Sequence, residues 1–388
     1  MLSQLSLLAF AGAVLAQSNG SAPSLAQALN SSSELTSLSG VLALPGLGSL
    51  VQGLSSAQNI TILAPSNEAF ASVGNETLSA LTSNEGLLTA LLQYHVLNGS
   101  ILSSAITNQS QFVPTLLTNE LFTNVTGGQV VEAVASGSNV TFFSGLLSNS
   151  SVIQADVNFT GGVIHVIDRF LVLPEVVSDT LTTANLTGLR GALNATNLLD
   201  AVDTIPDVTI FAPSTEAFRD IGSALANATT EDIASILTYH VVNGTVGYSS
   251  GIENGTTLTT LNGQNLTITI GDEGRIFVNS ARVTIADILV ANGVVHVIDE
   301  VLNPGNATIA DPSDEEGEGA FPGASAVSEL PFTSGQPTPT TSINSEATSN
   351  AAPGASSSSS TAGAAAAMKT GSVGMGALLG AAAVYAFN

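Results

Sequence analysis

Four histidines and one serine are the residues most able to do chemistry in this chain. Ser249 lies in Gly247-Tyr248-Ser249-Ser250-Gly251, the Gly-x-Ser-x-Gly setting of a nucleophile elbow, and Asp272, Asp287 and His296 follow in serine-hydrolase order. That chemistry needs the serine on a sharp strand-to-helix turn, with base and acid in hydrogen-bond reach. Here Gly- and Thr-rich residues follow instead of a helical pattern, and the equivalent Ser104 has neither glycine. A loop without catalytic function is expected. A metal reading would pair His95 with His165 and His240 with His296, beside Asp168 or Asp299. Zinc takes three or four ligands, and neither His-x-x-His nor His-Glu-x-x-His occurs. No cofactor and no enzymatic activity are expected.

The histidines are better explained by the elements that carry them. Leu88, Leu91, Leu92 and Val96 repeat at helical spacing, as do Ile233, Ile236, Leu237 and Val241. His95 and His240 fall on or beside these apolar stripes, flanked by Tyr94 and Tyr239. His165 and His296 lie in apolar, glycine-bounded runs that read as inner strands. Buried histidines of this kind are most often hydrogen-bonded core residues.

Each of these features occurs twice, in the same order. TILAPSNEAF at Thr61–Phe70 and TIFAPSTEAF at Thr209–Phe218 differ at two positions, and Ala155–Asp168 aligns without gaps to Ala286–Asp299. Asn59–Ala64 and Val208–Ala212 read as buried strands ended by Pro65 and Pro213, with Ser66 and Ser214 capping a short helix. Thr229 and Asp232 open a later helix with a capping box. The offset between copies falls from 148 at the prolines to 131 at His165/His296, passing through 145 at the tyrosines. The first copy therefore has 14 surplus residues, expected as a loop or hairpin in the Gln111–Ser151 region.

In order and duplicated, the strand-Pro-Ser-x-Glu-Ala-Phe, Tyr-His-Val and Val-Ile/Val-His-Val-Ile-Asp segments resemble the fasciclin domain family. The resemblance implies an α+β fold of two tandem domains, 22–174 and 176–304, each a β-wedge packed with several helices. It also implies extracellular adhesion, and it assigns the adhesive segment to Tyr94, His95, Tyr239 and His240. Their inward helical phase argues for folding rather than direct contact, and no Arg-Gly-Asp is present.

Composition is consistent with an extracellular setting. The net charge is −24 with six basic residues and no cysteine, which excludes nucleic-acid binding and a disulfide framework. Residues 1–16 read as a secretory signal cleaved between Ala16 and Gln17. Residues 305–368 read as a disordered stalk, and 369–388 as the hydrophobic end of a glycosylphosphatidylinositol (GPI) attachment signal, with Gly363 or Ser360 as the attachment residue. Seventeen Asn-x-Ser/Thr sequons lie between Asn19 and Asn306. The main candidates are Asn59, Asn75, Asn98, Asn108, Asn124, Asn139, Asn149, Asn185, Asn194, Asn227, Asn243, Asn254, Asn265 and Asn306. Asn98 and Asn243 are expected in exposed turns. The expected molecule is a cell-surface or wall glycoprotein, comparable with a fungal fasciclin-like surface protein. Its expected partners are wall or matrix glycans, or surface proteins including copies of itself, with the membrane reached through the lipid anchor. A carbohydrate- or lipid-binding wall module is the alternative.

Overall fold

The computed structural model describes residues 22–271, 274–309 and 319–338. Two modules follow one another, each a seven-stranded sheet packed with helices. In the first, α1 (Leu25–Ser31), α2 (Thr36–Leu42) and α3 (Gly48–Ser56) precede β1 (Ile60–Pro65). Next come α4 (Asn67–Val73), α5 (Asn75–Ser83), α6 (Glu85–Tyr94) and β2 (Val96–Asn98). Strands β3 (Gln111–Pro114), β4 (Val130–Ser136), β5 (Asn139–Phe143), β6 (Asn149–Phe159) and β7 (Gly162–Ile167) complete the module.

The second module repeats the plan. Helices α7 (Val177–Thr183), α8 (Thr187–Ala195) and α9 (Leu199–Thr204) lead to β8 (Val208–Pro213). They are followed by α10 (Thr215–Asp220), α11 (Gly222–Leu225), α12 (Thr230–Tyr239) and β9 (Val241–Val242). The last strands are β10 (Thr257–Thr259), β11 (Asn265–Ile270), β12 (Ile276–Val278), β13 (Ala281–Val290) and β14 (Gly293–Ile298).

The sheet orders are β2-β1-β7-β6-β5-β4-β3 and β10-β11-β12-β13-β14-β8-β9. In each sheet the duplicated first strand pairs in parallel with the duplicated last one, Leu63 opposite His165 and Phe211 opposite His296. Parallel neighbours covered on both faces read as continuous apolar runs, and β1, β8 and β14 are buried at every residue. Single bridges, Leu97–Thr115 and Val242–Thr260, link the two ends of each sheet and curl it toward a barrel.

The helix starts follow the capping expectation. Ser66 and Ser214 each accept a hydrogen bond from the N–H three residues on, 3.1 Å in both copies. Thr229 and Asp232 form the expected capping box. Phe70 and Phe218 enter the cores.

The 14 surplus residues have a definite place. Val130 O accepts from the Tyr94 hydroxyl as Asn265 O does from Tyr239, so β4 corresponds to β11. Thr115 and Thr260 correspond through their bridges, which puts ten of the surplus residues in the loop between Thr115 and Val130. The other four fall before Asp156, in the stretch containing the 3₁₀ turn Gly145–Leu147. Both insertions face the second module.

Residues 319–338 depart from the expected stalk. They lie against the second module, with Phe321 and Phe332 packed on its core. An otherwise polar, proline-rich stretch is ordered here because a few apolar side chains find a seat on α8 and α10. Among the described residues no single helix is long and apolar enough to cross a membrane. Ala16, Gln17, Ser360, Gly363 and Asp272 lie outside the described residues.

Candidate functional site

The Tyr-His pairs sit at the C-termini of α6 and α12 with their side chains buried. His95 Nδ1 lies 2.7 Å from Leu91 O in the preceding turn, and Nε2 accepts from Leu171 N–H at 3.0 Å. His240 repeats this with Ile236 O at 2.8 Å and Leu302 N–H at 2.9 Å. Accepting at Nε2 places the proton on Nδ1, so each ring is neutral. Burial lowers both pKa values to about 4, although the carbonyl bond pulls the other way. Each histidine staples the end of a helix to the segment leaving the sheet. The Tyr94 hydroxyl donates to Val130 O and that of Tyr239 to Asn265 O, both at 2.9 Å. All four residues assigned to adhesion by resemblance are therefore internal braces.

The second pair of histidines belongs to a different motif. In β6 and β13 a break in register puts Asp156 and Asp287 at φ 59 and 61, in the left-handed region. The bulge turns each carboxylate onto a 3₁₀ turn. Asp156 accepts from Ser103 N–H at 2.9 Å and Ser103 Oγ at 2.5 Å. Asp287 accepts from Ser249 N–H at 2.9 Å and from Ser249 Oγ. The Asp N–H donates to Nδ1 of His165 or His296, at 3.2 Å in both cases. Nε2 of each ring then lies 2.9 Å from Ile101 O or 2.8 Å from Gly247 O.

Ser249, Asp287 and His296 are thus brought together, but they are wired against catalysis. A nucleophilic serine donates to histidine, and histidine donates to the acid. Here the serine donates to the acid, and both histidine nitrogens are engaged by backbone. Ser249 also has a twin in Ser103 rather than in Ser104, as the matching Asp bonds establish. No group of three or more His, Asp or Glu side chains suited to a metal occurs among the described residues.

Polar chemistry is concentrated instead at the seam between the modules. The inserted loop supplies most of it. Asn124 N–H donates to Ala291 O at 2.7 Å, and its Nδ2 donates to Thr204 O at 2.9 Å. Thr126 gives its N–H and hydroxyl to the Asp207 carboxylate at 2.7 and 2.6 Å. Gln129 Nε2 donates to Val290 O at 3.0 Å. Phe112 stacks on Tyr248 with ring centroids 4.2 Å apart, and Leu147 enters the second module's core.

Two buried carboxyls adjoin this seam. Glu132 on β4, opposite Phe112, accepts from Ser110 Oγ at 2.5 Å. Burial raises its pKa to about 7 despite that bond, and the Asp287 charge adds to the rise. Glu175, whose carbonyl accepts from Ala291 N–H, is raised to about 7 by burial and by the nearby Asp179. Of these seam residues the sequence marked only Asn124, as a sequon, and Tyr248, inside the Gly-x-Ser-x-Gly motif, and neither for a contact between modules. The length surplus was the one visible trace of the contact itself.

Of the candidate sequons, Asn59, Asn75, Asn98, Asn108, Asn139, Asn185, Asn194, Asn227, Asn243, Asn254 and Asn265 are exposed. Both Asn98 and Asn243 are exposed, Asn243 just after β9 and Asn98 as the last residue of β2, paired with Ile60, rather than in the expected turn. Asn149 and Asn306 are half-buried, Asn149 bonded to Arg169 and Asn306 to Ala320 O. Asn124 is exposed at one side, yet its amide nitrogen faces the seam.

Comparison with known proteins follows the same architecture. Residues 33–174 and 184–304 match the family described as Fasciclin domain. Over 292 residues the chain is 41% identical to a fasciclin-like arabinogalactan protein of Arthroderma benhamiae, covering 74% of this chain and 68% of that protein. It is 33% identical over 304 residues to a fasciclin-like arabinogalactan protein of Cercospora beticola, covering 76% and 80%. Similarity extends to periostin of Homo sapiens, 31% identical over 258 residues, which are 64% of this chain and 29% of periostin.

Proposed function

The chain belongs to the fasciclin family, and from that premise we propose that it is a non-enzymatic adhesion glycoprotein of the cell surface or wall. One observation carries this reading. Among the described residues, the side chains that suggested catalysis or metal binding are engaged by internal partners, as the Ser249–Asp287 and His296–Gly247 bonds illustrate. Recognition is left to the outer surface, which is acidic and studded with exposed sequons. The seam supports presentation of both modules together. Weak contacts then act through avidity, within one chain and across many chains on one surface.

In this reading the signal sequence ending at Ala16 is removed, the exposed sequons carry glycans, and a lipid at Gly363 or Ser360 holds the chain to the outer leaflet. Partners are wall or matrix glycans and surface proteins. Phospholipase treatment of intact cells is expected to release the chain together with a control GPI-anchored protein. Retention of the chain while the control is released refutes the anchor. Beads coated with the purified full chain are expected to bind cell walls more strongly than beads coated with a glycosylated protein of similar charge. Equal binding refutes the adhesive role.

A further inference from the structure

Duplication gave this chain two copies of one helical face, and among the described residues only the second is covered by a further segment. Residues 319–338 form a strap across the second module. Ser223 and Ser325 exchange two hydrogen bonds, and Val327 N–H donates to Arg219 O at 3.1 Å. The Phe332 ring meets Phe218 edge-on, with centroids 6.1 Å apart. Farther on, Arg190 Nη1 donates to Gln336 Oε1 at 2.7 Å. The closest approach is at Gly191 on α8, where a Cβ would stand 1.8 Å from the Phe332 carbonyl oxygen. Only glycine allows the strap to lie so close to the helix.

The same sequence pattern builds α2 in the first module. Leu35-Thr36-x-Leu38-x-Gly40-x-Leu42 matches Leu186-Thr187-x-Leu189-x-Gly191-x-Leu193 position for position. Gly40 takes the place of Gly191, and Phe70 that of Phe218. Among the described residues no atom lies within 4 Å of a Cβ built at Gly40. Gly40 is exposed where Gly191 is buried, and Val41 and Leu42 are half-buried where Ala192 and Leu193 are buried. Ser39, in the place of Arg190, has a shielded hydroxyl with no hydrogen-bond partner among the described residues. The likeness is confined to this end of the strap, since Gly74 ends α4 at φ 83 whereas its counterpart Gly222 begins α11.

We propose that the α2 face of the first module is a docking seat for the Phe332 region of the strap of a second copy of this chain. The strap is the occupant because on the twin face the same peptide seats on the equivalent glycine, Gly191. A chain would offer its strap by releasing it from its own second module, so the contact is weak in dilute solution and favoured where copies are crowded. Lacking the Arg190 partner for Gln336, the first seat holds the strap more weakly than the second. The contact stands apart from the adhesive reading, because it is measured on purified protein.

The test titrates the intact chain with a fluorescent synthetic peptide of residues 319–338 and reads anisotropy. Saturable binding of one peptide per chain is expected. Gly40→Leu should weaken it at least tenfold, as should Phe332→Ala in the peptide. Gly40→Leu replaces an exposed helical glycine with a better helix former, so an unchanged circular dichroism melt separates blocked docking from unfolding. Gly53→Leu, at an open position on α3, should leave binding unchanged. Absence of saturation at millimolar peptide overturns the proposal. Binding indifferent to Gly40→Leu also overturns it, because the peptide has then displaced the strap of the second module.

Discussion

Glu132→Gln separates two opposing pH effects built into the fold. The folded protein keeps the Glu132 proton to about pH 7, whereas the unfolded chain releases it near 4.5. Stability from this group is therefore present below pH 4.5 and falls as pH rises through that interval. The shift of about 2.5 units corresponds to roughly 3 kcal/mol at about 1.4 kcal/mol per unit. Glu175 acts in the same direction. His95 and His240 act oppositely, because their folded pKa values of about 4 lie below the ordinary 6.5. Their contribution is complete above pH 6.5 and is lost as pH falls toward 4. Between pH 4.5 and 6.5 the two pairs therefore act against each other. Glutamine can still accept from Ser110 but carries no charge. The variant should be more stable than wild type by about 2–3 kcal/mol at pH 8, and nearly equal to it at pH 4. At roughly 2–4 °C per kcal/mol for a unit of this size, its Tm should rise by several degrees at pH 8 only. Calorimetry at the two pH values measures this. A gain of the same size at both, or a loss at pH 8, refutes the reasoning.

Three further outcomes follow from the same contacts. His95→Leu leaves Leu171 N–H without its acceptor and should cost about 2–4 kcal/mol at pH 7 by urea titration, with reduced sensitivity to acid. Ser249→Ala removes the hydroxyl that donates to buried Asp287 and should destabilise by about 1–3 kcal/mol. A serine-directed activity probe should label neither it nor wild type, and labelling of wild type alone contradicts the wiring described. Glycopeptide mapping should find Asn98 and Asn243 occupied and Asn124 bare, because the Asn124 amide nitrogen is 2.9 Å from Thr204 O inside the seam. A fully occupied Asn124 would mean that the seam is open.

The legible part of this protein is its duplicated part. Strand ends at Pro65 and Pro213, serine caps and apolar helical stripes are local signals that the fold retains, because tertiary packing reinforces each of them. The inward phase of His95 and His240 was also readable, since helical periodicity fixes which side of α6 and α12 faces the core. The bonding partners were not, because Leu171 and Leu302 lie 76 and 62 residues away in sequence. The Ser249 motif, read from sequence as a loop without catalytic function, hid its bonding partner for a related reason. Its spacing is local, whereas the bulge that delivers Asp287 depends on the register of β13 against β14. The seam and the strap left fainter traces, a length surplus and a few aromatic residues in a polar stretch. Composition averaged over 305–368 concealed Phe321 and Phe332, although two well-seated rings are enough to order a short segment.

The proposed role, holding surfaces together without transforming a substrate, is put to the test by detachment under shear. Cells carrying the chain, cells lacking it and cells lacking it but re-expressing it are seeded on wall material and on a lawn of their own kind. Cells lacking the chain should detach at lower shear, and re-expression should restore attachment, including with Ser249→Ala at a temperature where that variant is folded. Indistinguishable detachment of all three populations contradicts that role.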